Sequence, residues 1–241
     1  MKKYNTKAVV LKSVRYKDSD KIFTLFTKDY GKITAIARGV RKINSRRSGS
    51  LDTLNYATVN IHEDRLEFKN IEEVKVIESF KTLKGNLGKS AKAYYIIELV
   101  HKATGEGEHS PEIFDLLLKC LRALDRNGYS GDLFISYFEM NLMKLTGYQM
   151  SLNKCEKCQR VLDDSWGRYY FDVENGGLEC ERCTGNTGIE ISVKTALYLQ
   201  QIFDGKILRE MKKSVPEIDE LMKMYIGRKL ERKFKSLEIE G

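Results

Sequence analysis

The 241-residue chain has only 2 prolines, 3 histidines and 1 tryptophan. So few prolines leave no long proline-rich linker. The histidines, His62, His101 and His109, have no carboxylate, serine or cysteine partner at a diagnostic spacing, so hydrolytic or transfer catalysis has little support. No apolar run approaches the ~18 residues of a membrane helix. Only Ala8-Val9-Val10-Leu11 separates the basic start from Lys12, too short for the apolar core of a signal peptide. The expectation is a cytoplasmic protein. Residues 85–90 imitate the end of a phosphate-binding loop, but Leu83 stands where that motif requires its first glycine, so ATP binding is rejected. No recognition helix of the helix-turn-helix type and no internal repeat is evident.

Acidic residues are scarce at the front. Residues 1–50 hold 14 Lys or Arg against 3 Asp, a net of +11, while the whole chain carries +8. A basic, β-like segment is the footprint of a module that tracks a phosphate backbone. Candidate phosphate contacts are Lys12, Arg15, Lys17, Lys21, Lys32, Arg38, Arg41, Lys42, Arg46 and Arg47. Tyr16, Phe23, Tyr30 and Tyr56 are candidate stacking platforms, although core packing competes for them, for Phe23 above all. A solvated basic face is the bland alternative. The C-terminal stretch Arg228 to Ser236 adds five basic residues against one acid, as a further nucleic-acid surface, a site for an acidic peptide or a solvated helix end.

Residues 1–80 read as β-structure. A first strand is expected to begin at Val9-Val10-Leu11, and others at 22–26, 33–40, 56–63 and 66–77. The second is apolar on both faces or nearly so. In the third, Ile33, Ala35 and Ala37 share one face and Lys32, Thr34, Ile36 and Arg38 the other. Five short strands escape exposed edges by closing into a small barrel. The OB-fold is the common five-stranded solution; an SH3-like barrel fits the same count. The basic stretch 41–50 is expected to be a loop.

From residue 81 the apolar period becomes helical. Ser90 is a candidate cap for a helix holding Tyr94, Ile97 and Val100. Ser110-Pro111-Glu112 starts a second helix, with Phe114, Leu117, Leu118, Leu121 and Leu124 inward. Asp132 opens a third, with Ile135, Phe138, Leu142 and Leu145 inward. Ser192 opens a fourth that closes at Gly205, and Pro216 a fifth. The expected class is α+β, with an OB-fold DNA-binding domain over 1–80, a helical domain over 81–154 and 184–241, and a zinc-binding insertion over 155–183.

Four of the 5 cysteines form two CxxC pairs, Cys155/Cys158 and Cys180/Cys183, 21 residues apart. Each pair places two thiolates on one tight turn, and two such knuckles complete a four-cysteine zinc site. Residues 169–173 followed by Asn175-Gly176-Gly177 suit a hairpin between them. A closed shell leaves no open position, so one structural Zn2+ is expected rather than a catalytic one. Redox chemistry is weaker, because no thioredoxin-like βαβ unit surrounds either pair. Cys120 lies in an apolar helical stretch and reads as core.

With these residues in view, the chain resembles the RecO family of bacterial repair and recombination proteins. The resemblance rests on residues 16–27, on Tyr30-Gly31-Lys32, on residues 37–42 with Ser45-Arg46, on Leu145-x-Gly147-Tyr148 leading into the first CxxC, and on the C-terminal Arg228 to Leu237. It implies an OB-fold, a helical domain and a zinc module in a protein that is not an enzyme. It also implies binding of single- and double-stranded DNA, annealing of complementary strands, and work with RecR to help RecA load on DNA coated by single-stranded DNA-binding protein (SSB). DNA contact carries over to Lys12, Arg15, Lys21, Arg38, Arg41, Lys42, Arg46 and Arg47 as a group. The SSB C-terminal tail is expected in a basic, apolar groove of the helical domain. The competing reading is an adaptor whose basic surface engages acidic protein segments rather than DNA; a zinc enzyme would need a metal with fewer than four cysteines.

Overall fold

The computed structural model describes residues 2–43, 45, 47–64, 69–126, 132–163, 166–185, 188–204 and 216–230. Five strands, β1 (Lys2–Tyr16), β2 (Asp20–Thr27), β3 (Gly31–Ala37), β4 (Tyr56–Glu63) and β5 (Lys69–Glu78), close into a barrel in the order β1-β2-β3-β5-β4. A bulge between Val10 and Lys12 bends the long β1, so its first half pairs with β4 and its second half with β2. This is the five-stranded OB arrangement, and α+β is the class. Ala8, Val10, Phe23, Leu25, Ile33, Ala35, Ala37, Val59, Ile61 and Ile71 fill the interior. The face assigned to Ile33, Ala35 and Ala37 by alternation is the inward one.

The third strand stops at Ala37 rather than Val40. Gly39 takes φ +66° and its N–H donates to Asp20 Oδ1 at 2.7 Å, which turns the chain away from the sheet. The described part of the fifth strand begins at Lys69; Leu66 lies outside the described residues. Among the described residues β3 pairs with β5 only at Ile36 and Asn70. The rest of its edge is covered by a loop: Gly107 N–H donates to Lys32 O at 2.7 Å, and Thr34 N–H to Glu106 Oε1 at 2.7 Å.

Helices α1 (Lys81–Lys84), α2 (Leu87–Ala103) and α3 (Pro111–Asp125) follow. α2 begins earlier than expected. Asn86 is its cap, accepting from Lys89 N–H at 3.0 Å, while Ser90 sits inside the helix and donates to Leu83 O. Asn and Ser cap equally well, so sequence alone does not separate them. Tyr94, expected inward, is exposed, whereas Ile97 and Val100 are buried. α3 packs on the outer face of the barrel: Phe114 lies against Phe26 and Tyr56, and Arg122 Nε donates to both Glu78 carboxylate oxygens at 2.9 and 3.1 Å.

The residues from Asp132 to Leu230 form a second compact unit, separate from the first, which ends near residue 127. By their contacts, α1–α3 cluster with the barrel, and α4 (Asp132–Leu145), α5 (Val193–Phe203) and α6 (Pro216–Leu230) with the cysteine segment. In α4, Phe138 and Leu142 are buried as expected, but Leu145 is exposed. Ser192 caps α5 by accepting from Thr195 N–H at 3.2 Å; Gly205 lies outside the described residues. Four short strands, β6 (Ser151–Cys155), β7 (Tyr169–Asp172), β8 (Gly177–Cys180) and β9 (Ile189–Ile191), form a sheet in the order β6-β8-β7-β9. β7 and β8 are the hairpin expected between the knuckles. Its turn is held by Asp172 Oδ1, which accepts from Glu174 and Asn175 N–H.

Candidate nucleic-acid interface and metal centre

Seven of the ten candidate cations lie at or near the surface, two are committed to backbone carbonyls, and Arg46 lies outside the described residues. Lys12, Arg15, Lys17, Arg38, Arg41 and Lys42 are exposed, and Lys21 is half-buried. Arg15, Lys17 and Lys21 flank the β1–β2 turn, and Arg38 follows β3. The loop that carries Lys42 is tied to that turn: Arg41 N–H donates to Ser19 O at 2.9 Å and Arg41 Nη1 to Asp18 O at 3.0 Å. One end of the barrel therefore gathers six of these cations, while Lys12 lies further along β1, opposite Thr24. Lys12, Arg15, Lys17, Lys21, Arg38 and Lys42 make no ion pair among the described residues. Asp20 is the acid among them. Its bond from Gly39 N–H, then Ser19 and the charges of Lys17 and Arg38, hold its carboxyl below the ordinary range despite opposing desolvation.

Lys32 leaves the set. It is buried, and its ammonium donates to the His101 carbonyl at 2.7 Å and to the Thr104 carbonyl. Those oxygens lie at the C-terminal end of α2, where helical carbonyls lack partners and cations are favoured. Arg47 is half-buried and its guanidinium is spent on the backbone: Nη1 donates to Ile71 O at 2.5 Å and Nη2 to Arg38 O at 2.7 Å. It fastens the loop to β5. Charge in a sequence does not distinguish a solvated cation from one that satisfies buried carbonyls.

The stacking candidates disperse as well. Phe23 is in the barrel core, Tyr56 is buried beneath Phe114, and Tyr30 packs on Tyr4 with ring centroids 4.2 Å apart. Tyr16 stays on the basic side, 37% exposed, with Lys17 Nζ 5.3 Å from its ring centroid. A row of aliphatic residues on the outer face was missed. Ile22 read as part of a doubly buried strand, yet it is only half-buried, because the helices cover β2 near Phe26 and not near Ile22. Ile36, on the polar face of β3 by alternation, was the available signal.

In the second unit, all four cysteines of the CxxC pairs converge. Their Sγ atoms lie within 4.8 Å of one another, with Cys158 and Cys180 Sγ 3.8 Å apart. Cys180 N–H points at Cys155 Sγ (3.5 Å), the arrangement that stabilises a thiolate. Burial opposes ionisation of Cys155, but backbone N–H bonds from Cys158, Cys180 and Lys157 prevail and bring it down to about 7. Cys183 is pushed up to about 12 by its side-chain bonds with Cys158 and Cys180. Four sulfurs this close cannot all ionise unless a cation sits among them. The donor set fits one metal ion with four sulfur ligands and no open position. A clasp missed in the sequence joins the knuckles: Lys157 Nζ reaches Glu179 Oε1 at 2.9 Å and donates to Cys183 O at 3.1 Å. Cys120 is buried in α3 and is not one of the four, its thiol pushed up to about 12 by desolvation.

Comparison with known proteins gives consistent results along the chain. The family model described as Recombination protein O N terminal matches residues 1–80, and that described as Recombination protein O C terminal matches residues 85–238. A protein named DNA repair protein RecO from Dehalococcoides mccartyi is 34% identical over 200 residues, covering 83% of this chain and 78% of the relative. Its namesake from Syntrophus aciditrophicus is 31% identical over 246 residues, covering 98% and 94%. That from a Thermoanaerobacter species is 30% identical over 249 residues, covering 98% and 96%.

Proposed function

The chain belongs to the RecO family, and from that premise we propose that it is a non-enzymatic, DNA-binding mediator of recombinational repair working in the cytoplasm. In this reading it binds single- and double-stranded DNA, anneals complementary strands and, with RecR, helps RecA load on SSB-coated DNA. The supporting observation is the cluster of six cations at one end of the barrel, Arg15, Lys17, Lys21, Arg38, Arg41 and Lys42, none of them in an ion pair among the described residues. Such an array attracts phosphates without reading bases, which suits a protein that must act on any sequence.

The metal in this reading is one zinc ion held by Cys155, Cys158, Cys180 and Cys183, with a structural role that follows from the closed sulfur shell. For the SSB tail, we assign α2, where Leu87 (88% exposed) and Tyr94 lie seven residues apart on a helix that also carries Lys89 and Lys92. Annealing of complementary oligonucleotides, bare and SSB-coated, without ATP, tests the function. ATP-independent annealing is expected. Pull-down of SSB or RecR with no DNA affinity at low salt would favour the adaptor reading instead.

A further inference from the structure

Asp20 opens β2, opposite Tyr16 on β1, and is half-buried at the cationic end of the barrel. A carboxylate there repels any polyanion the cations attract. Asp20 makes no ion pair among the described residues. Its Oδ1 accepts instead from Gly39 N–H at 2.7 Å and from the Ser19 hydroxyl at 3.2 Å. The Gly39 bond is the largest influence holding its carboxyl below the ordinary range, so the group is ionised at neutral pH. Gly39 is the pivot of the loop after β3. It takes φ +66° and lies between Arg38 and the pair Arg41-Lys42. Lys42 N–H closes the turn by donating to Gly39 O at 3.2 Å. Two further bonds join the same two segments: Arg41 N–H to Ser19 O at 2.9 Å, and Arg41 Nη1 to Asp18 O at 3.0 Å. Residues 18–20 thus form a ledge along which residues 38–42 lie. Of these three residues Asp20 alone supplies an ionised acceptor, and ionised acceptors make the shorter, stronger bonds.

A loop that meets phosphates loses conformational entropy as it orders. A loop already held in place loses less at the moment of binding. We propose that Asp20 is a positioning residue for DNA binding: its carboxylate fixes Gly39 and so sets Arg38, Arg41 and Lys42 to meet phosphates as a group. The proposal rests on the DNA-binding reading of the basic barrel end and adds to it a residue whose charge opposes the ligand. Asp20 acts through Gly39 and is not itself a contact. Its two effects have opposite signs. The charge repels phosphate, while the hydrogen bond organises the cations, and the second effect is the larger. Removing the carboxylate outright therefore weakens binding although the surface becomes more positive.

The test is fluorescence anisotropy with labelled oligo-dT across a salt series, on wild-type protein, Asp20→Asn and Asp20→Ala. Both variants remove the same charge. The Asn amide still offers an oxygen to Gly39 N–H, whereas Ala offers none. Asp20→Asn is expected to bind about threefold more tightly than wild type, at an unchanged log–log salt slope. Asp20→Ala is expected to bind about tenfold more weakly than Asp20→Asn, with a slope shallower by about 1.4, the share of two phosphates. A role in stability alone would lower the urea midpoint of Asp20→Ala and leave the slope of the folded protein unchanged, which would overturn the proposal. Equal affinities and slopes for the two variants would overturn it too, as would an Ala variant that binds more tightly than wild type. Amide exchange in free wild-type protein reads the same contact without a variant. Slow exchange at Gly39 is expected; exchange at the unprotected rate would overturn the proposal even if Asp20→Ala fails to fold. No wild-type binding to oligo-dT at low salt would overturn the DNA-binding reading, and the proposal with it, even with Gly39 protected.

Discussion

The Lys32 ammonium donates to the His101 carbonyl oxygen at 2.7 Å, from the outer face of β3 to the C-terminal end of α2. It also reaches the Thr104 carbonyl, so one buried cation satisfies two acceptors the helix cannot satisfy itself. Lys32→Met removes both bonds and the charge that complements the helix dipole. The expected result is a loss of about 1–3 kcal/mol in urea unfolding, with the salt dependence of DNA binding unchanged. A weaker salt slope with unchanged stability would return Lys32 to the DNA surface.

Arg38 and Lys42 are exposed and make no ion pair among the described residues, whereas Arg47 bonds the Ile71 and Arg38 carbonyls. The double variant Arg38→Gln/Lys42→Gln should bind single strands more weakly and shallow the log–log salt slope by about 1.4, at wild-type stability. Arg47→Gln should do the reverse, lowering stability by about 1–3 kcal/mol through orphaned carbonyls. Equilibrium unfolding and binding titrations on the same preparations separate the two.

Protein purified under reducing conditions should hold about one zinc per chain. Cys158→Ser or Cys183→Ser should lose it, together with protease resistance between residues 150 and 190. Cys120→Ala should retain it. The buried Cys120 thiol, with its pKa raised to about 12, should resist alkylation in native protein, and the other four should react only after chelation. Metal analysis and mass spectrometry of alkylated protein read these outcomes.

Gly176 has φ +76°, and a Cβ there would lie 2.5 Å from Tyr225 Oη. Tyr225 in turn donates to Tyr148 O at 2.9 Å and meets Phe171 edge-on. Gly176→Ala therefore strains the hairpin turn and displaces α6 from it. A loss of about 1–3 kcal/mol is expected in the second unit, with barrel-based DNA binding retained. Thermal unfolding and anisotropy measure both.

The barrel was legible because each strand buries one face, as alternation in residues 33–37 and 56–63 shows directly. The cysteines were legible because a CxxC turn fixes its own geometry. Other features depend on which parts of the chain meet. Lys32 and Arg47 read as surface cations because their carbonyl partners are 69 and 24 residues away. Ile22 and Phe26 look alike in sequence, yet α3 covers only Phe26. Asn86 and Ser90 are both competent caps, and tertiary packing chose the first.

The most direct measurement of the central claim is the affinity for oligo-dT as a function of salt. Six cations meeting phosphates predict a log–log slope of about −4. A flat response between low and moderate salt would contradict the account.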